Sequence, residues 1–298
     1  MSLHLATYLA ALQQRVLVID VDHQSSLSIV ILGAKIWEKC VKEHRTVNRV
    51  FQSFCNRKVP MPKDELVIKN AIGESGRYSN GKTLYPTLDF VSAQFELDDT
   101  EIDLASTNYG NANLSDWDKR TLLASWLDQI SAQNNYDYVL FDCPPATKIV
   151  SQNALAASDK YIIPVIPDEL SSRGVSHFRN LVQNKIDTKL AYLQSSAQVP
   201  PAEVPKNFVP TTNLAGIVPF LVKHSGNARS GLTNIHTEQI AALRRQWGTD
   251  MIQTVGMNYI AIPEAIAAGL PIWNYGKNAK AQRMMTAICA ELKTRIDR

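Results

Sequence analysis

The residues of this 298-residue sequence best placed to do chemistry are aspartates that directly follow short apolar runs. Val16-Leu17-Val18-Ile19 leads into Asp20-Val21-Asp22-His23-Gln24, and Tyr138-Val139-Leu140-Phe141 leads into Asp142-Cys143-Pro144-Pro145. Such runs predict buried strands, and in open parallel sheets ligands bind beyond the carboxyl ends of the strands. Asp20, Asp22 and Asp142 would then share one sheet edge. Mg2+ takes hard oxygen donors, typically one or two carboxylates with water and substrate phosphates, so the cluster predicts a Mg-nucleotide site. The competing reading is that each Asp caps the next helix; three of them on two strands favour the site.

Other metal chemistry finds little support. His4, His23, His44, His177, His224 and His236 show no ligand spacing, and Cys40, Cys55, Cys143 and Cys289 include no C-x-x-C pair. Neither a zinc site nor a disulfide framework is indicated, which fits a reducing cytoplasm. Thirty-one Lys and Arg against 28 Asp and Glu leave a net charge of +3, too slight to define a nucleic-acid binder by charge alone. With 45% apolar and 20% charged residues the composition is globular and excludes a disordered chain.

The elements that must position these residues read as alternating helices and strands. Leu5, Tyr8, Leu9 and Leu12 keep the spacing of a helical stripe ahead of Val16–Ile19. Further apolar runs occur at Tyr161–Ile166 and Ile217–Val222, and Leu88–Val91 is strand-like. Continuous apolar strands separated by helices predict an α/β fold, a mostly parallel sheet with helices on both faces. The expectation is one domain over residues 1–298, with surface excursions at about 56–86, including a short helix around Leu66–Ala71, and at about 194–213. Trp117 and Trp126 read as core or partner contacts. The first twelve residues lack the basic start of a signal sequence, and no run approaches the ~18–20 apolar residues of a membrane span.

Arg15–Gln24 resembles the R-V-L-V-I-D-x-D-x-Q segment of the ParA/MinD-like (deviant Walker A) partition ATPases, and Tyr136–Pro145 resembles their Walker B segment. The similarity, to the ParA branch, continues through Asn153–Asp159, Ile163–Leu170, Ala215–Val218 and Pro263–Pro271. The resemblance implies a P-loop NTPase that uses ATP/ADP and Mg2+. Asp20 and Asp142 would hold Mg2+ through its water shell, and Asp22 would position or activate the attacking water. Gln24 would lie in the same switch segment, with Pro144 and Pro263 at the nucleotide pocket. It also implies ATP-dependent homodimerisation, nonspecific DNA binding, and a ParB-like or adaptor protein that stimulates hydrolysis. The expected setting is cytoplasmic and nucleoid-associated, away from membranes.

The sequence departs from the family in places. Family members carry K-G-G-x-G-K-[ST]-[ST] between their first strand and first helix, and Met1 falls at or just past its final hydroxyl residue. The expectation is therefore a chain without the first strand and P-loop, that strand belonging beside the Walker B strand, with ATPase activity in question. Gly76–Thr83 matches G-x-x-x-x-G-K-[ST] formally but lacks a strand before it and a helix after it, so a surface turn is expected. Gly256-Met257-Asn258-Tyr259 stands where many relatives have I-P-R-N. Lys277, Lys280 and Arg283 give the C-terminal helix a basic stretch that could meet phosphate backbones, against the plainer reading of a solvated helix face. A non-catalytic scaffold or dimerisation partner is the alternative function. A dinucleotide-dependent oxidoreductase is disfavoured because no G-x-G-x-x-G occurs.

Overall fold

The computed structural model describes residues 1–74, 84–145, 147–222, 234–276 and 278–298. The formal P-loop match at Gly76–Thr83 and the candidate Lys277 lie outside these described residues. The chain forms two compact units: Ser2–Asp159 with Ile186–Thr211, and Lys160–Lys185 with Thr212–Arg298 and Met1.

The first of these is built on a parallel sheet of β1 (Val16–Asp20), β2 (Leu88–Val91) and β3 (Tyr138–Asp142) in the order β2-β1-β3. β1 is fully buried along its length, as continuous Val, Leu and Ile require when both edges pair and helices cover the faces. Leu17 and Ile19 pack in a cluster with Phe51, Leu123 and Trp126. Helix α1 (Ser2–Ala11) buries Leu5, Ala6 and Leu9 and packs against all three strands. Among the described residues β3 pairs only with β1, and all five of its residues are half-buried. At the amino ends of the strands, Arg15 donates its backbone and guanidinium N–H groups to Asp137, tying the start of β1 to the approach to β3.

One expectation changes. The short helix around Leu66–Ala71 is not there: a 3-10 turn covers Asp64–Leu66, Ile68 bridges antiparallel to Phe90, and a helix begins only at Ala71. The β-branched Ile68 finds a buried place beside β2, which outweighs a weak local helical preference. The segment expected as a surface excursion at 194–213 is mostly exposed or half-buried and is fastened at two points. Asp128 accepts from the backbone N–H groups of Lys206 and Asn207, and Phe208 stacks edge-on against Trp117 at 4.8 Å. Trp117 and Trp126 are core residues, on separate helices Ala112–Arg120 and Leu122–Gln129.

The second unit contains the parallel pair β4 (Lys160–Val165) and β5 (Asn213–Pro219). Its C-terminal helix Ala279–Ile296 is fastened by Arg295, which donates to the carbonyls of Thr249, Asp250 and Met251. The segment that replaces I-P-R-N runs alongside the end of β5: Gly256 donates to Pro219 O, Val222 donates to Gly256 O, and Met257 bridges parallel to Val222. Glycine is required there, because a Cβ at 256 would come within 2.2 Å of the Phe220 ring. Among the described residues no helix is long and apolar enough to cross a membrane.

Candidate functional site

Parallel register places Asp20 and Asp142 as direct Cα partners at the carboxyl ends of β1 and β3. The chain leaves β1 through a tight turn in which Val21 N–H donates to Asp142 O and Asp22 N–H donates to Asp20 Oδ1 at 3.0 Å. Gln24 N–H in turn donates to Asp22 Oδ1 at 3.0 Å, so Asp22 and Gln24 are held by backbone contacts within one turn. His23 Nδ1 lies 3.7 Å from the same Asp22 oxygen. Pro144, two residues past Asp142, is half-buried.

Asp20 is fully buried, yet it is well supplied with donors. Besides Asp22 N–H, its Oδ2 accepts from the Ser28 backbone N–H at 2.9 Å and the Ser28 hydroxyl at 2.7 Å. Burial raises its pKa to about 7 and the Asp142 charge adds to that, while the Ser28 hydroxyl works the other way. Burial likewise raises Asp142, with the Asp22 charge adding and the Ser2 hydroxyl, which donates to Asp142 Oδ1 at 2.5 Å, opposing. The Cys143 thiol is pushed up to about 12, first by desolvation and then by the charges of Asp142, Asp20 and Asp22. All three carboxylates therefore act on one point, where the N-terminal ammonium opposes the rise at Asp142.

That donor set fits Mg2+ of a particular kind. Among the described residues no group of three or more His, Cys, Asp or Glu side chains forms a metal cage of its own. Two adjacent carboxylates and a hydroxyl supply the protein share for an ion that keeps waters and takes the rest of its shell from phosphates. Binding such an ion would relieve the repulsion that raises both acidic groups.

The other expected residues lie in the second unit. Pro263 is exposed on the helix Ala261–Ala267, and Lys280 and Arg283 are exposed on the C-terminal helix. Sequence reasoning missed Ser2 and Ser28, which hold the two acidic side chains. A signal for Ser28 existed in the hydroxyl-rich Ser25-Ser26-Leu27-Ser28 just after the acidic turn. It could have been read as a helix start whose first-turn N–H groups reach back to a strand-end carboxylate.

The α/β architecture with a parallel sheet is that of the P-loop NTPases, and residues 1–194 match the AAA domain family model. An uncharacterized protein of Pseudomonas putida is 26% identical over 98% of this chain and 88% of its own length. The chromosome partitioning protein ParA of Caulobacter vibrioides is 27% identical over 61% of this chain and 56% of its own length. McdA of Cyanothece, solved with ATP, superposes with a TM-score of 0.61 at 16% identity over 99% of this chain and 90% of its own, which shows the shared fold. The chain belongs to the ParA/MinD-like partition ATPase family.

Proposed function

We propose that this chain is the ATPase of a partition or cargo-positioning system, with Mg-ATP bound at the carboxyl edge of β1 and β3. The observation that carries the reading is the register pairing of Asp20 with Asp142, with Asp22 on the turn between β1 and α2 (Ser26–Leu32). Asp20 and Asp142 hold the water shell of Mg2+, and Asp22, half-buried and turned by its contact to Gln24 N–H, orients the attacking water. When bound, the ion neutralises charge on the phosphates, which is most of what phosphoryl transfer asks of a site. Gln24, Pro144 and Pro263 are proposed to contact the nucleotide. Lys277, Lys280 and Arg283 are proposed for nonspecific DNA, in an ATP-dependent homodimer released by a ParB-like or adaptor partner.

The same reading includes a further parallel strand on the side of β3 away from β1, joined through a phosphate-binding loop to α1. Two features support it. α1 starts at the acidic edge, where Ser2 contacts Asp142, and runs back to feed β1, as the helix of a right-handed β-α-β unit does. β3 also leaves Val139, Leu140 and Phe141 half-buried, although parallel strands are ordinarily covered on both sides. The test is Mg-dependent ATP hydrolysis by the 298-residue chain and by a form extended upstream in its reading frame. Activity confined to the extended form, reduced about 10²-fold or more in Asp22→Ala, is the expected result. An extended form that binds no ATP would leave the scaffold alternative in possession.

A further inference from the structure

Ser28 does more than hold Asp20. Its hydroxyl donates to Asp20 Oδ2 at 2.7 Å and accepts from Ala93 N–H at 2.9 Å, while the Ala93 carbonyl accepts from the Trp37 indole N–H at 2.9 Å. Ser28 is fully buried, as is Ala93 just past β2. Trp37, on α3 (Ala34–Lys42), stacks edge-on at 5.0 Å with Phe95, which is 54% exposed. An unbroken path of hydrogen bonds thus runs from the acidic edge, through one hydroxyl, to the end of the neighbouring strand and an aromatic pair at the surface.

We propose that Ser28 is a positioning residue that fixes the direction of Asp20 Oδ2 and couples it to the Ala93–Phe95 segment, so that a change at Asp20 is felt at Trp37. The inference rests on the reading of Asp20 as part of the Mg-nucleotide site for its purpose, but not for its geometry. A buried hydroxyl that donates to one partner and accepts from another has its rotor set by both. When the acceptor changes, the hydroxyl and the Ala93 amide must readjust together, because neither can be left unpaired without cost. The Ser28 backbone N–H also holds Asp20 Oδ2 at 2.9 Å, but it is the hydroxyl that links this oxygen to Ala93.

The test is a double-substitution cycle read at the Trp37 indole NMR signal, assigned with Trp37→Phe. Asp20→Ala should displace that signal when Ser28 is present and leave it nearly unmoved in a Ser28→Ala background. Ser28→Thr and Ser28→Val, nearly equal in volume and differing by the hydroxyl, repeat the comparison if the alanine variant does not fold; coupling should survive in Thr and vanish in Val. Equal displacement with and without the hydroxyl would overturn the proposal. Titration of Mg2+ in the presence of ATP separates the two claims. Loss of Ser28 should raise the half-saturating Mg2+ concentration about tenfold, with Ser28→Thr restoring it. If the intact cycle shows coupling while Mg2+ moves no signal at Asp20 or Asp142, the positioning role stands and the nucleotide reading falls.

Discussion

β1 and β3 are almost equally apolar, Val-Leu-Val-Ile against Tyr-Val-Leu-Phe, and each ends in an aspartate of the acidic pair, yet their surroundings differ sharply. Among the described residues β1 pairs on both edges and is sealed, while β3 pairs on one edge and all five of its residues are half-buried. The difference follows from neighbours rather than composition. A strand composed for burial and found half-buried is where the proposed further strand would add, next to the acidic edge.

The sharpest way to break this comparison is to truncate matched leucines. Leu17→Ala in β1 should cost about 3 kcal/mol, within the about 2–5 kcal/mol of large-to-small core changes, whereas Leu140→Ala in β3 should cost about 1 kcal/mol. Denaturant unfolding measures both, and equal losses would show that β3 is as enclosed as β1. Hydrogen exchange sharpens the same contrast: amides of β3 that face away from β1 should exchange at least ~10²-fold faster than those of β1. Joining the proposed strand should slow them, and β3 protection equal to that of β1 in the 298-residue chain would remove the case for an open edge.

A smaller effect comes from pH, because α1 brings a buried histidine to the same sheet. Burial lowers the His4 pKa from 6.5 to about 3, so the unfolded chain takes up a proton that the fold refuses. Stability from neutral His4 is present above about 6.5 and lost as the pH falls toward 3, and His4→Asn should flatten that loss in melting temperature. Asp20, raised from 3.8 to about 7, acts with the opposite sign: without a bound cation, stability falls as the pH rises between those values. Added Mg2+ with ATP should counter that fall if the acidic edge holds the ion. The smallest change expected is at Lys148, exposed and paired with Asp98 at 2.9 Å and Glu101 at 3.6 Å. Lys148→Ala should alter melting by little and less still in high salt, and a large loss would mean that the segment after β3 depends on this pair.

Much of the site was legible in the sequence because strand-end position fixes it. Four apolar residues followed by Asp suffice to place Asp20 and Asp142, and parallel pairing does the rest. Ser2 and Ser28 were not legible, since a hydroxyl's partner is chosen by three-dimensional approach and carries no periodicity. In the fold, the strands were found within a residue or two except β5, which starts at Asn213 rather than Ile217 because its less apolar first half pairs with β4. Ile68 was misread for a like reason: a short local pattern yielded to a buried place beside Phe90. The anchoring of 206–209 rests on Asp128 and Trp117, far along the chain and invisible to local reading.

The most direct test of the central claim is to locate the metal-nucleotide complex. Mn2+ added with ATP to the form extended upstream broadens NMR signals close to the bound ion. The account predicts broadening at Asp20–Gln24, Ser28 and Asp142–Cys143, with Arg15 and Asp137 at the amino ends of the strands left sharp. Broadening centred elsewhere, or none at all along β1 and β3, would contradict it.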